Sequence, residues 1–411
     1  MSRRWGEQLK RLLHPTAQKN RKGRLGSPSR GEQRQDCSLR RYGVPCKLMP
    51  ESAATQTRGV ETNRHASLSA ADLRPAFRLT LAGAAAAALA ALCGCAVNPV
   101  SGKSDLVFMS ETEELALGRQ YHGEIMRQYR EYADPALSAY AAALGAALAR
   151  NSHRPGLQFR FTLLDSPEVN AFALPGGYIY ITRGIMAYMN SEAHLAGVLG
   201  HEIGHVTARH GVRQHSSSKI AEFIGKALLR KTDDQAVTAL SNLLGGAILR
   251  GYGRKHELEA DRLGAEYLAR SGYEPRDMIG VVGILKDQEE FEKQRAREER
   301  RQPRIYHGVF STHPDNDRRL QEVIAAADRF RGTAAAARDD AAFIRRLDGM
   351  AFGERQSGRR IRVVQVRPGE RIADLARVSN LERHAEAQLR LLNGLYPDGE
   401  PRPGQWIKIV Q

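Results

Sequence analysis

His201-Glu202-Ile203-Gly204-His205 sets two imidazoles four residues apart, with a carboxylate beside the first. On a helix, residues i and i+4 share a face. His201 and His205 are therefore candidates to grip one Zn²⁺ per chain. Glu202, about 100° further round at 3.6 residues per turn, stands near a water held on that ion. Zinc lowers the pKa of such a water and polarises a scissile carbonyl, while the carboxylate takes the proton and later returns it. Catalytic zinc needs three protein ligands and an open fourth position. His256-Glu257-Leu258-Glu259-Ala260-Asp261 offers the third. If this stretch is helical, Glu257 and Asp261 share a face. Glu257 can then ligate the metal, and Asp261 can hold a ligand histidine through its other ring nitrogen. Glu259 projects elsewhere and His256 lies one residue off the face, so both are expected in solvent. His194, His210 and His215 are likewise expected as exposed helix residues. The competing reading of the whole motif is a helix whose histidines merely face water. Leu195, Ala196, Val198 and Leu199 weigh against it, because they give the run a buried face unbroken by proline.

The surrounding pattern supplies elements to position these groups. Ser110-Glu111-Thr112-Glu113 is a capping box opening an amphipathic helix. Asp134-Pro135 places an N-cap and an N1 proline before a second helix carrying Leu137, Tyr140, Ala141, Leu144 and Leu148. Leu157, Phe159, Phe161 and Leu163 alternate with polar residues and predict a half-buried strand. Asn170 to Gly177 is a turn-rich link into a second strand, Tyr178 to Thr182. A long helix is expected from about Ser191 to His210, with more helices through 217–290. Residues 96–110 read as a tether. The charge-rich stretch 286–304 reads as a solvated helix face. Residues 361–411 read as strand, two short helices and a closing strand from Trp406 to Val410. The fold class expected is α+β, mostly helical with a small antiparallel sheet. A small C-terminal βααβ unit completes it.

Net charge is +16 over 411 residues, which alone would suggest a nucleic-acid partner. The charge is unevenly spread. Residues 1–94 hold 17 of the 62 basic and 6 of the 46 acidic side chains, a net of +11, leaving +5 for the rest. All four cysteines precede residue 96, which excludes a disulfide-dense scaffold. Residues 1–73 are polar and aperiodic and are expected to be disordered: a basic arm, or a start placed too far upstream. Arg74, Arg78 and the apolar run from Leu79 to Leu92 then form an expected signal peptide over 74–94. Its ending, Leu92-Cys93-Gly94-Cys95, resembles the bacterial lipobox, which implies cleavage before Cys95 and lipid on that cysteine. A cleaved signal without lipid and a buried alanine-rich helix are the alternatives. By resemblance to retention signals, Ala96 favours the outer membrane over the inner.

Asn170-Ala171-Phe172-Ala173-Leu174-Pro175-Gly176-Gly177, the His201–His205 motif and Glu257-x-x-Ala260-Asp261 occur in one order. Together they resemble metallopeptidase family 48, the gluzincins of the HtpX and CAAX prenyl protease type. With no apolar run long enough to span a membrane, the sequence looks like the family's periplasmic, beta-barrel-assembly-enhancing branch. The resemblance covers roughly residues 96–325 and implies a metalloprotease domain over 95–350. It implies that His201, His205 and Glu257 bind zinc, that Asp261 supports them and that Glu202 is the general base. It also implies that the strand after the Asn170 motif is an edge strand beside the metal helix, to which an extended peptide adds. Asn170 and Ala171 would touch that substrate; a turn-stabilising role for Asn170 stays open. Ser311-Thr312-His313-Pro314 matches a further family element. There His313 either stabilises the oxyanion or occupies the open metal position and keeps the enzyme latent; a plain turn histidine is the third option. Val366 to Glu370, Leu391-Leu392-Asn393 and Pro403 to Ile409 resemble a LysM-like module over 351–411. That implies glycan binding, and hence peptidoglycan, or else a structural cap on the protease.

The function implied is a zinc endopeptidase on the periplasmic side of the cell envelope, anchored by lipid. It would hydrolyse misfolded or misassembled envelope proteins. The alternative is a non-catalytic, peptidoglycan-associated lipoprotein or chaperone-like factor. A nucleic-acid partner is not expected, since the leader holds most of the charge.

Overall fold

The computed structural model describes residues 95–107, 109–216, 253–303, 316–330 and 338–411. The expected disordered segment 1–73, the signal peptide 74–94, the helical filling of 217–252 and His313 lie outside the described residues.

Strands β1 (Cys95–Val97) and β2 (Ser104–Leu106) pair antiparallel. This corrects the expected tether. The Asn98 side chain accepts from the amides of Val100 and Ser101 and closes the turn, and Val107 and Met109 are buried with Val212. Helix α1 (Glu111–Gln128) opens on the expected capping box, in which Ser110 and Glu113 satisfy each other's amides. Helix α2 (Pro135–Arg150) starts where Asp134 accepts from the Leu137 amide at 2.9 Å. Both starts satisfy amides that helix geometry leaves bare.

Three strands follow: β3 (Arg160–Leu164), β4 (Ala171–Leu174) and β5 (Tyr178–Thr182). Their spatial order is β3-β5-β4, with β5 parallel to β3 and antiparallel to β4. The sheet is thus mixed rather than wholly antiparallel. The chain reverses twice between β3 and β5, so those two strands end up running the same way. The order also moves the expected edge. Strand β5 is central and buried at all five positions, and among the described residues the Asn170 motif itself supplies the edge strand, β4. The link Pro175-Gly176-Gly177 needs glycine at its last two positions, where φ is 76° and 91°.

Helix α3 (Arg183–Tyr188) leads out of β5 into α4 (Glu192–Thr207), capped by Ser191. Fourteen of the sixteen α4 residues are buried, so α4 is the central helix of the core rather than an amphipathic surface one. Helices α2, α5 (Arg254–Arg270) and α6 (Asp277–Glu298) pack against it, α7 (Asn316–Asp328) packs on α5 and α6, and α8 (Asp340–Arg346) follows. Helices α4 and α5 meet along a seam of small residues. A Cβ on Gly204 would lie 3.1 Å from the Leu263 side chain and 3.2 Å from the Ala260 backbone, and one on Gly200 would lie 3.3 Å from Gly264 O. The charged stretch 286–304 is solvated only in part: Glu290, Arg297 and Glu298 are exposed, but Asp287, Gln288 and Glu292 are buried, and Glu292 pairs with Arg301 at 2.6 Å. Among the described residues, no helix is long and apolar enough to cross a membrane.

The C-terminal residues run β6 (Ile361–Gln365), α9 (Ile372–Arg377), α10 (Ala385–Leu392) and β7 (Trp406–Val410), with β6 and β7 antiparallel. Asn393 joins the second helix to the closing strand, exchanging hydrogen bonds with the Lys408 backbone. The Lys408 side chain is fully buried and donates from Nζ to Ala187 O (2.6 Å) and Met189 O (2.8 Å), at the end of α3. Burial holds its ammonium well below the usual lysine range. Its unfolded value is near 10.4. Between the two values the unfolded chain carries the extra proton, so this contribution to stability grows as pH rises towards 10. The urea midpoint of the native chain is therefore expected to gain on that of Lys408→Met between pH 7 and pH 10. A constant difference would count against it.

Candidate metal centre

Helix α4 brings His201, Glu202 and His205 together inside the core, and the α4–α5 seam brings Glu257 to them. All four are at most 1% exposed. His201 Nε2 lies 2.9 Å from His205 Nε2 and 3.3 Å from Glu257 Oε2, and His205 Nε2 lies 3.5 Å from Glu257 Oε1. Ligands about 2.0–2.1 Å from a tetrahedral ion stand about 3.3 Å apart. Two imidazoles and a carboxylate converging at these separations fit zinc in donor type and in spacing. Among the described residues, these three form the one group of histidine, cysteine and acidic side chains close enough to hold a metal ion.

Asp261 lies where the helical spacing put it. Its Oδ1 is 2.9 Å from His201 Nδ1, so it fixes that ring and leaves Nε2 facing Glu257. The sequence reading missed what Asp261 itself requires. Arg319 of α7, 1% exposed, donates to it twice, from Nε at 2.7 Å and Nη2 at 2.6 Å. Burial works against the Asp261 carboxylate, but the Arg319 guanidinium outweighs it and holds the group well below the usual range. At His201, burial disfavours the cation, yet Asp261 and Glu257 together raise it to about 9 in the metal-free chain. Burial and the neighbouring His201 push His205 well below its ordinary value.

Glu202 sits beside the ligands with both carboxylate oxygens buried and without a hydrogen-bond partner among the described residues. Burial pushes it up to about 8, with the nearby Glu257 adding to the rise. A bound divalent cation would draw it down again. A carboxylate with no structural bond of its own, placed beside a metal-binding triangle, is suited to moving a proton.

Two expectations about the neighbours are overturned. His210 is not exposed: it is fully buried, with Nδ1 2.8 Å from His205 Nδ1. The cause is local. Helix α4 ends at Thr207, Arg209 takes a left-handed φ of 54°, and the helix resumes at 210, turning His210 back towards the site. That conformation costs a non-glycine residue about 1–2 kcal/mol. The Arg209 side chain is anchored by buried Glu114 (2.9 Å) and Met109 O (3.0 Å). Glu259 and His256 are half-buried rather than solvated. Glu259 accepts from His210 at 3.1 Å, and His256 stacks on His210 with ring centroids 4.3 Å apart. His194 and His215 are also half-buried.

Asn170 is 5% exposed, immediately before β4, and its backbone is bonded to Thr182. Ala171 is fully buried at the first position of β4. Helix α4 packs beside this strand, so the Asn170 motif and the His201–His205 motif are on neighbouring elements.

Comparison with known proteins agrees with this geometry. Residues 135–327 match peptidase family M48. The chain is 31% identical over 273 residues to the beta-barrel assembly-enhancing protease of Yersinia pestis, covering 63% of this chain and 53% of that protein. It is 31% identical over 242 residues to the Escherichia coli (strain K12) protein of the same name, covering 57% and 47%. It is 28% identical over 239 residues to the mitochondrial metalloendopeptidase OMA1 of Saccharomyces cerevisiae, covering 55% and 67%. The chain spans about half the length of the first two.

Proposed function

From the match of residues 135–327 to peptidase family M48, we propose that this chain is a zinc-dependent endopeptidase of the bacterial cell envelope. Its substrates are misfolded or misassembled envelope proteins. The observation that carries this reading is the buried triangle of His201, His205 and Glu257 with Glu202 beside it. Zinc bound there would polarise the peptide carbonyl and make water acidic near neutral pH. Glu202 takes the proton from the attacking water and delivers it to the leaving nitrogen. Asp261, held by Arg319, keeps His201 in its ligating orientation. Strand β4, an edge among the described residues and a neighbour of helix α4, supports binding of an extended peptide by main-chain hydrogen bonds, with Asn170 and Ala171 at its start. His313 is proposed as a second group acting at the metal, as oxyanion stabiliser or latency ligand.

The same reading covers the rest of the chain. The 74–94 leader and its lipobox-like end support export and a lipid on Cys95, with the outer membrane as destination. The βααβ order of residues 361–410 supports a LysM-like module, and through it peptidoglycan. The mature N-terminus is expected to start at Cys95 with the mass of an acylated cysteine. An unmodified Cys95 in mass spectrometry would reject the anchor.

The activity has a direct test. The full chain is expected to cut an unfolded polypeptide internally, to stop when a chelator strips its metal, and to recover with about one zinc per chain. A chain that binds no zinc with both histidines intact would overturn the proposal.

A further inference from the structure

We propose that His210, oriented by Glu259, is the positioning residue of His205 and fixes which of its ring nitrogens faces the metal. The inference rests on the zinc site proposed above and adds to it a residue outside the ligand motif. The geometry sets the direction of each hydrogen bond. Nε2 of His201 and Nε2 of His205 face each other and the two Glu257 oxygens, so Nε2 is the ligating atom of both rings. A ligating nitrogen offers its lone pair, so a neutral ring carries its proton on Nδ1. His205 Nδ1–H then donates to the atom 2.8 Å away, His210 Nδ1. His210 must accept there, so its own proton sits on Nε2. That N–H finds Glu259 Oε2 at 3.1 Å. Arg213 Nη1, 3.3 Å from the same oxygen, keeps Glu259 an acceptor. His256, stacked at an interplanar angle of 17°, holds the ring plane.

The two zinc ligands are therefore supported differently. His201 leans directly on a carboxylate that is paired with an arginine. His205 leans on a neutral ring, and the carboxylate stands one imidazole further out. This gives the second ligand an orientation without placing another anion against a site that already holds Glu202, Glu257 and Asp261. The left-handed turn at Arg209 is what allows it, because a helix continued past Thr207 would carry His210 away from His205.

The test is zinc competition against a chelator of known affinity, using the full chain. Removing a partner that orients a ligand histidine typically costs 10–100-fold in metal affinity. His210→Phe keeps the ring and the stack but removes the acceptor, and it is expected to weaken zinc binding by about that factor. His210→Asn returns an acceptor near the Nδ1 position and is expected to recover most of the loss. A second measurement avoids substitution. In the zinc-loaded native chain, nitrogen NMR is expected to show His210 protonated at Nε2 alone and His205 at Nδ1 alone. Native affinity in His210→Phe, or a proton on His210 Nδ1, would overturn the proposal while leaving the zinc site standing. A native chain that binds no zinc would overturn both.

Discussion

Glu202→Gln is expected to retain zinc and to lose peptide cleavage by about 10²–10⁴-fold, the usual range for removing a positioned general base. The substitution changes no volume. Neither Glu202 oxygen has a hydrogen-bond partner among the described residues, so no structural bond is lost, and the loss of rate isolates proton transfer. The same burial makes a second, opposite prediction for stability. Glu202 is raised to about 8 in the metal-free chain, against an unfolded value near 4.3. The folded chain therefore binds the extra proton between those values, and its stability falls as pH rises through that window. Gln removes this penalty. The metal-free variant is expected to melt above the metal-free native chain at pH 8, with the gap closing towards pH 5. Rates against an unfolded polypeptide and two melting curves check both. Retained cleavage would refute the role as base.

Arg319→Met is expected to be among the most damaging single changes outside the ligands. It leaves Asp261, fully buried, without its guanidinium. Breaking a buried ion pair from one side costs about 3–5 kcal/mol, because the remaining charge is stranded. Lysine would not substitute well, since the contact is a two-pronged one to a single carboxylate. Asp261→Asn in the Arg319→Met background is expected to return part of the loss, by removing the stranded charge. Denaturant unfolding of the four chains in the cycle measures the coupling. Additive losses would show that the two residues do not act as a pair.

The convergence of His201, His205 and Glu257 was legible because its spacing is local. His201, Glu202 and His205 lie within one helical turn, and Glu257 and Asp261 share a face at spacing four. Caps at Ser110 and Asp134 were legible for the same reason. What was missed depends on distant partners or on backbone turns. Arg319 is one of 62 basic residues, and nothing in its own neighbourhood marks it as the partner of a carboxylate 58 positions earlier. The only available signal was indirect: a buried Asp261 needs a cation from somewhere. His210 was misread because the helical period was carried past Thr207, whereas the chain breaks at Arg209 without a glycine to announce it. The edge strand was misplaced by one because alternation gives strand positions but not the order in which strands pair. The β3-β5-β4 order is set by tertiary packing.

The small residues between α4 and α5 reach further than packing. Glycine at 200 and 204 against Ala260 and Gly264 lets two backbones approach closely, so the separation of the helices that carry Glu257 and the imidazoles is set by main chain. At the zinc site proposed above, the seam would act as a template for coordination geometry. Raw affinity for nitrogen and oxygen donors favours copper over zinc, so a site for zinc depends on geometry, ligand type and metal availability. A methyl group at position 204 would push the two helices apart by about a few tenths of an ångström and would alter that template without any change to His201, His205 or Glu257.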